Sequence, residues 1–267
     1  MLAVDEDEKL RRRSSFGAVA AAYAEHRPRY AEEAIRWALA PAGTSVAGLT
    51  VLDLGAGTGI LSGQLAALGA DVTAVEPNPE MLAELRRSLS SVAAHAGSAE
   101  SIPLPDGSVR AVLSGQAMHW FDMDRALPEI ARVLTPGGVL AGLWNSDDNR
   151  VEWVAGLHAA ADGAMAPTAS VRRAEIPEIP VGRLNSETRW FTARVIEEFG
   201  NGQPRTADSL LATIETHSKF LVMAPEKRET VLRQVRDYLR TRPETADGEF
   251  TLPMITSVLR TIRKIPG

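Results

Sequence analysis

Cysteine is absent from the 267 residues, which removes disulfides, thiolate metal ligands and cysteine nucleophiles. An excess of positive charge is missing too: Lys plus Arg total 29 against 34 for Asp plus Glu, giving a formal charge of -5. Without a basic field there is little to hold a polyanion, and nucleic acid is not an expected partner. No apolar run reaches the roughly 20 residues of a membrane-spanning helix, and residues 1–15 lack the apolar stretch of a secretory leader, so we expect a cytoplasmic protein away from membranes. The histidines at 26, 95, 119, 158 and 217 show no metal-ligand spacing, and no metal is expected. Neither a G-x-x-x-x-G-K-[ST] loop nor a G-x-S-x-G elbow occurs, which argues against an NTPase and a serine hydrolase.

What is present suits a folded α/β chain. Hydrophobic residues make up 45% of the sequence, enough for a substantial core. Residues 1–15, where Arg11, Arg12 and Arg13 follow an acidic run, read as a flexible tail. Helical spacing across 16–40, broken by Pro28, predicts two helices with a bend. Strands are then expected at 50–54, 71–76, 110–114 and 139–144, separated by helices at 60–68, 79–88 (capped by Asn78) and 124–134. That alternation implies βαβ crossovers and a Rossmann-like, mostly parallel sheet with flanking helices. Further on, the pattern predicts helices at 151–163, 206–217 and 226–240 and strands at 190–199 and 249–255. We read 16–267 as one domain, with a core at 16–150 and a helical lid at 204–247 inserted near the C-terminal strands.

The chemistry concentrates in Val51-Leu52-Asp53-Leu54-Gly55-Ala56-Gly57-Thr58-Gly59, followed by a strand closing at Glu76. Glycines at a strand end permit a tight turn and let a ligand lie on main-chain atoms, and an acid about twenty positions later can accept from both hydroxyls of a ribose. A nicotinamide dinucleotide would use the same parts. Two details weigh against it: Ile60 stands where G-x-G-x-x-G needs its third glycine, and the carboxylate of Asp53 would repel a pyrophosphate while suiting a cationic ammonium.

The stretch VLDLGAGTGILSGQLAALGADVTAVEPNPEML resembles the first two motifs of class I S-adenosylmethionine-dependent methyltransferases, in the small-molecule branch called type 11. Residues 97–104 resemble that family's adenine-contacting turn, and residues 134–140 resemble its helix-turn-strand signature. The resemblance covers 50–145 and implies S-adenosylmethionine as cofactor. It implies that Asp53, Gly55, Gly57 and Gly59 line the methionine side, that Glu76 holds the ribose, and that Pro77 and Met81 border the adenine. Ser98, Ala99 and Glu100 would surround the base edge. This sequence departs from the pattern where Ser98 and Arg110 replace aspartates common in the family.

Residues 116–122 (QAMHWFD) and the early Tyr23-x-x-x-Arg27-Pro28-x-Tyr30 are similar to the trans-aconitate methyltransferase-like branch. By that similarity Gln116 touches the cofactor, while Tyr23 and Arg27 close over its methionine carboxylate. His119 has a pKa range suited to taking a substrate proton, and is the candidate catalytic residue beside the alternative of a packed histidine. The expected reaction is methyl transfer to a small molecule, with a carboxylate implied by the branch and steered by arginines such as Arg172, Arg189 or Arg194. Two rivals stay open at this point: a cofactor-binding regulatory or scaffolding protein, and an NAD-dependent oxidoreductase.

Overall fold

The computed structural model describes residues 26–161 and 189–265, so Tyr23, Arg172, the tail at 1–15 and the first expected helix lie outside the described residues. The chain divides into two compact units, one built from 29–145, 189–199 and 256–265, the other from 26–28, 146–161 and 200–255.

In the first unit, α1 (Glu32–Leu39) precedes β1 (Thr50–Leu54), α2 (Ile60–Ala67), β2 (Asp71–Glu76), α3 (Pro79–Ser88), β3 (Ala93–Ala96), β4 (Val109–Gly115), α4 (Met123–Val133) and β5 (Leu134–Asp147). With β6 (Val195–Gly200) and a last strand, β9 (Met254–Ile262), these form a seven-stranded sheet of order β3-β2-β1-β4-β5-β9-β6. The pairs β1·β2, β1·β4, β2·β3 and β4·β5 are all parallel. This is the mostly parallel, Rossmann-like sheet with flanking helices that the sequence implied.

Central strands buried on both faces need nearly continuous apolar runs, and β1 and β4 supply them. Alternation then sorts the side chains. Leu52, Leu54 and Val112 join Leu127 and Ile130 of α4 on one face, while Val51, Ala111 and Leu113 join Ile35, Leu39, Leu61 and Leu65 on the other. Helix α4 is held by this stripe, with Met123, Ala126, Leu127, Ile130 and Ala131 all buried, and Asp122 caps its first turn by accepting the Asp124 amide. A reciprocal pair ties the N-terminal segment to α2: Gln64 accepts the Tyr30 amide at 2.9 Å and donates to the Tyr30 carbonyl at 2.8 Å.

Three expectations are corrected in detail. The strand expected at 139–144 runs from Leu134 to Asp147, because Val109 pairs with Leu134 and Ala111 with Val139, so Pro136-Gly137-Gly138 forms an irregularity inside the strand rather than a turn before it. The strand expected at 249–255 is split at Pro253, which has no amide to donate: β8 (Glu249–Leu252) pairs antiparallel with β7 (Gln203–Thr206), whereas β9 enters the large sheet. Strand β3 was missed, since Ala-Ala-His-Ala carries weak strand propensity.

The second unit owns a separate core. Trp153, Val154 and Leu157 of α5 (Glu152–Ala160) pack with Leu210, Leu211 and Ile214 of α6 (Ala207–Glu215) and with Val231, Val235 and Leu239 of α8 (Pro225–Arg240), which follows the short α7 (Ser218–Leu221). Gly156 makes room for the Tyr238 ring, whose hydroxyl donates to the Trp153 carbonyl at 2.8 Å. The 204–247 segment falls within this unit, which also takes in 146–161 and 249–255.

Candidate functional site

The carboxyl ends of β1, β2 and β4 carry the candidate residues, as expected for a ligand site on an open parallel sheet. Gly55, Gly57 and Gly59 all have positive φ (71°, 58° and 92°), so the turn after β1 follows a path that side-chain-bearing residues avoid. The three differ in surroundings. A methyl group on Gly55 would lie 2.7 Å from the Ala117 Cβ, and one on Gly59 would press on Leu85 and Leu89, whereas at Gly57 the nearest neighbour is the Met81 sulfur at 3.8 Å. Gly55 and Gly59 are therefore fixed by packing within the protein, and Gly57 is the open position.

Glu76 bonds the turn to the segment after β2. Its Oε2 accepts the Gly57 amide and its Oε1 the Asn78 amide, each at 2.8 Å. Asn78 in turn caps α3 by accepting the Met81 amide at 2.9 Å, which sets Met81 against Gly57. Asp53 is buried, and its Oδ2 accepts from the Ser62 hydroxyl at 2.6 Å. Burial pushes the Asp53 carboxyl up to about 7; the Ser62 bond opposes the rise and the nearby charge of Glu76 adds to it. Its Oδ1 is buried with no hydrogen-bond partner among the described residues.

The turn at 98–101 is closed by reciprocal backbone bonds between Ser98 and Ser101, with Ala99 buried and Glu100 accepting the Asp122 amide at 2.9 Å. Arg132 supports the chain that follows: its guanidinium donates to Glu129, Asp106 and the carbonyls of Ile102 and Leu104, all at 2.8 to 2.9 Å. Pro77 is exposed. Arg110, the second departure from the family pattern, reaches the Ala42 carbonyl and the Thr135 hydroxyl and so serves as a latch across the far end of the sheet.

Beyond β4, Gln116 stands at φ 54°, a conformation rare outside glycine, and its side chain donates to the Asn145 carbonyl at 2.8 Å. His119 lies in the single turn Met118–Trp120, half-buried, and its Nδ1 accepts the Trp144 indole N–H at 3.4 Å. An indole nitrogen can only donate, so the neutral His119 ring carries its hydrogen on Nε2. Gly55, Gly57, Glu76, Asn78, Met81, Ala117 and Phe121 thus converge around one turn, with Asp53 and Ser62 behind it. Arg27 lies in the other unit, donating to the Thr216 carbonyl at 3.0 Å. Arg189 sits over the Trp190 ring at 5.8 Å, and Arg194 is half-buried. Sequence reasoning missed Ser62 and Trp144; the one available sign was a small polar residue within the apolar pattern of α2.

A sequence profile described as a methyltransferase domain matches residues 52–142. An uncharacterized methyltransferase of Mycobacterium tuberculosis is 39% identical over 247 residues, 92% of this chain and 94% of the relative. A malonyl-[acyl-carrier protein] O-methyltransferase of Pectobacterium atrosepticum is 41% identical over 95 residues, 35% of this chain and 38% of that protein. Among solved structures, one from Anaeromyxobacter dehalogenans, assigned as a type II methyltransferase, covers 90% of this chain and 99% of its own with a TM-score of 0.64 at 25% identity.

Proposed function

The chain belongs to the methyltransferase family, and from that premise we propose that it moves the methyl group of S-adenosylmethionine onto a small-molecule carboxylate. One observation carries the choice of cofactor: a buried carboxylate, Asp53, with an unmatched oxygen stands behind a glycine turn whose Gly57 amide is bonded to Glu76. A buried acceptor without a donor is costly, and an ammonium group supplies what it lacks; a pyrophosphate would meet two carboxylates instead. The residues fit the cofactor on that ground.

In this reading Asp53 and the glycines at 55, 57 and 59 serve its methionine end and Glu76 its ribose. Pro77, Met81, Ser98, Ala99 and Glu100 surround its base, Gln116 borders it, and Tyr23 and Arg27 answer its carboxylate as the branch resemblance implies. When bound, the cofactor supplies an activated methyl group, and the protein's share is to hold a nucleophile in line with it and keep water out.

The carboxylate acceptor rests on the branch resemblance and on the malonyl-carrier relative, whose match spans about a third of this chain. His119 adds a chemical argument. With Nδ1 accepting from Trp144, the ring offers an N–H donor through Nε2, which orients an acceptor oxygen; a carboxylate is already ionised and needs no base. We place the reaction in the cytoplasm, with neither nucleic acid nor membrane as partner; among the described residues no helix is long and apolar enough to cross a membrane.

The test is incubation with methyl-labelled S-adenosylmethionine and a panel of carboxylic acids, phenols and amines, alongside titration with NAD. Label should enter carboxylic acids as a base-labile ester. Label confined to phenols or amines would overturn the acceptor class, and binding of NAD alone would overturn the whole reading.

A further inference from the structure

The apolar pattern of α2 breaks at position 62. Ser62 lies in the first turn of that helix, between the buried Leu61 and Leu65, and is itself fully buried. A hydroxyl placed there costs free energy unless it is bonded. Its bond goes to Oδ2 of Asp53, at 2.6 Å.

Asp53 has little else to hold it. In β1 it is flanked by Ala74 of β2 and Leu113 of β4, whose side chains carry no donor, and Ser62 is the one side-chain donor that reaches it among the described residues. Burial, the largest influence, and the charge of Glu76 both favour the protonated acid. The Ser62 hydroxyl opposes them, and so does its backbone amide, which belongs to a helical turn whose amides lack intrahelical acceptors.

A carboxylate that serves structure alone is bonded at its buried oxygens. Here Oδ2 is matched, while Oδ1 is buried without a partner among the described residues. The Ser62 bond thus makes the two oxygens unequal: with Oδ2 anchored, the carboxyl plane is fixed and the same oxygen stays open. Only the ionised form of that group attracts a cation, so a donor that favours ionisation also favours cation binding.

We infer that Ser62 is a positioning residue for the methyl donor: its hydroxyl anchors Oδ2 of Asp53, keeps that buried carboxylate charged and leaves Oδ1 to receive the donor's ammonium group. The role rests on the S-adenosylmethionine reading of the glycine turn and adds to it a residue that acts through Asp53.

The experiment compares wild type, Ser62→Ala, Ser62→Cys and Asp53→Asn, the last alone and combined with Ser62→Ala, across a range of pH. Urea unfolding reads Asp53 without any ligand. The folded-state carboxyl titrates above the 3.8 of the unfolded chain, so in wild type stability falls as pH rises through about 7. Losing the hydroxyl should carry that fall upward by about one pH unit or more in Ser62→Ala, by less in Ser62→Cys, whose thiol is a weak donor, and not at all in the Asp53→Asn background.

Calorimetry with S-adenosylhomocysteine reads the site. The ratio of wild-type to Ser62→Ala affinity, in which the ligand's own titration cancels, should be about fivefold to tenfold near pH ~6.5 and should approach one near pH ~9. A wild type that binds no S-adenosylhomocysteine overturns the cofactor reading and the role of Ser62 with it. Wild-type binding with a ratio that ignores pH overturns the role of Ser62 alone, because a hydroxyl that only packs costs the same at every pH; unfolding profiles of Ser62→Ala and wild type that run parallel do so too. Should Ser62→Ala fail to fold, Ser62→Cys carries both readouts, and profiles equal to wild type overturn the role in the same way.

Discussion

Glu76 takes the amide of Gly57 onto Oε2 at 2.8 Å, bonding the end of β2 to the middle of the turn that follows β1. A carboxylate placed there both shapes the turn and faces the expected ribose. Glu76→Ala should weaken S-adenosylhomocysteine binding by about 1.5–3 kcal/mol, the worth of charge-assisted bonds, and should lower the melting temperature because two amides lose their acceptor. Calorimetry and thermal unfolding read the two effects separately. Unchanged affinity would mean that the ribose lies elsewhere.

Asp53 makes stability and affinity respond to pH in opposite directions. Its carboxyl is raised from 3.8 to about 7 by burial, so the folded state favours the protonated form. That stabilisation is complete below about 3.8 and fades as pH climbs to about 7, on the order of 4 kcal/mol as an upper bound. Asp53→Asn should flatten the decline in stability across this window. Affinity for a cationic methionine end should instead rise with pH up to about 7 in wild type, and the Asn variant should lose that rise. Parallel pH slopes in the two proteins would contradict the assignment.

For His119, the Trp144 bond predicts a donor. His119→Gln, which keeps an N–H group, should stay within about tenfold of wild-type turnover, whereas His119→Ala should fall by roughly 10–100-fold. If both variants are equally impaired and the wild-type profile carries an acid limb near the histidine range, the ring works as a base.

Gly55 and Gly107 allow packing to be separated from backbone strain. Both have positive φ, but a methyl on Gly55 meets Ala117 at 2.7 Å while one on Gly107 meets nothing within 4 Å. Gly107→Ala should cost about 1–2 kcal/mol for the left-handed backbone alone, and Gly55→Ala a further 1–3 kcal/mol or so from overpacking. Denaturant unfolding of the two variants checks the order, and equal losses would show that the Ala117 contact yields freely.

The half of the chain with regular βαβ spacing was legible because its signals are local: an apolar run, a glycine turn, an Asn78 cap, and then the next strand. The signals that failed depend on pairing. Leu134–Gly138 carries turn residues yet joins the sheet because Val109 and Arg110 of β4 lie beside it, and only the structure shows that Pro253 divides two strands belonging to different sheets. Around the site, sequence spacing gave Asp53, the glycines and Glu76. It did not pair Ser62 with Asp53 or Trp144 with His119, since those contacts join residues whose spacing follows no motif.

The guanidinium of Arg132 holds two carbonyls and two carboxylates in its plane of donors, far along the chain from the glycine turn. A survey that scores variants by side-chain similarity would pass a lysine at this position as harmless. Lysine has a single charged tip and cannot span those four acceptors at once, so the segment proposed to border the donor's base would slacken. A clerical-looking exchange of one cation for another would then surface as poorer discrimination between adenosyl compounds and their analogues.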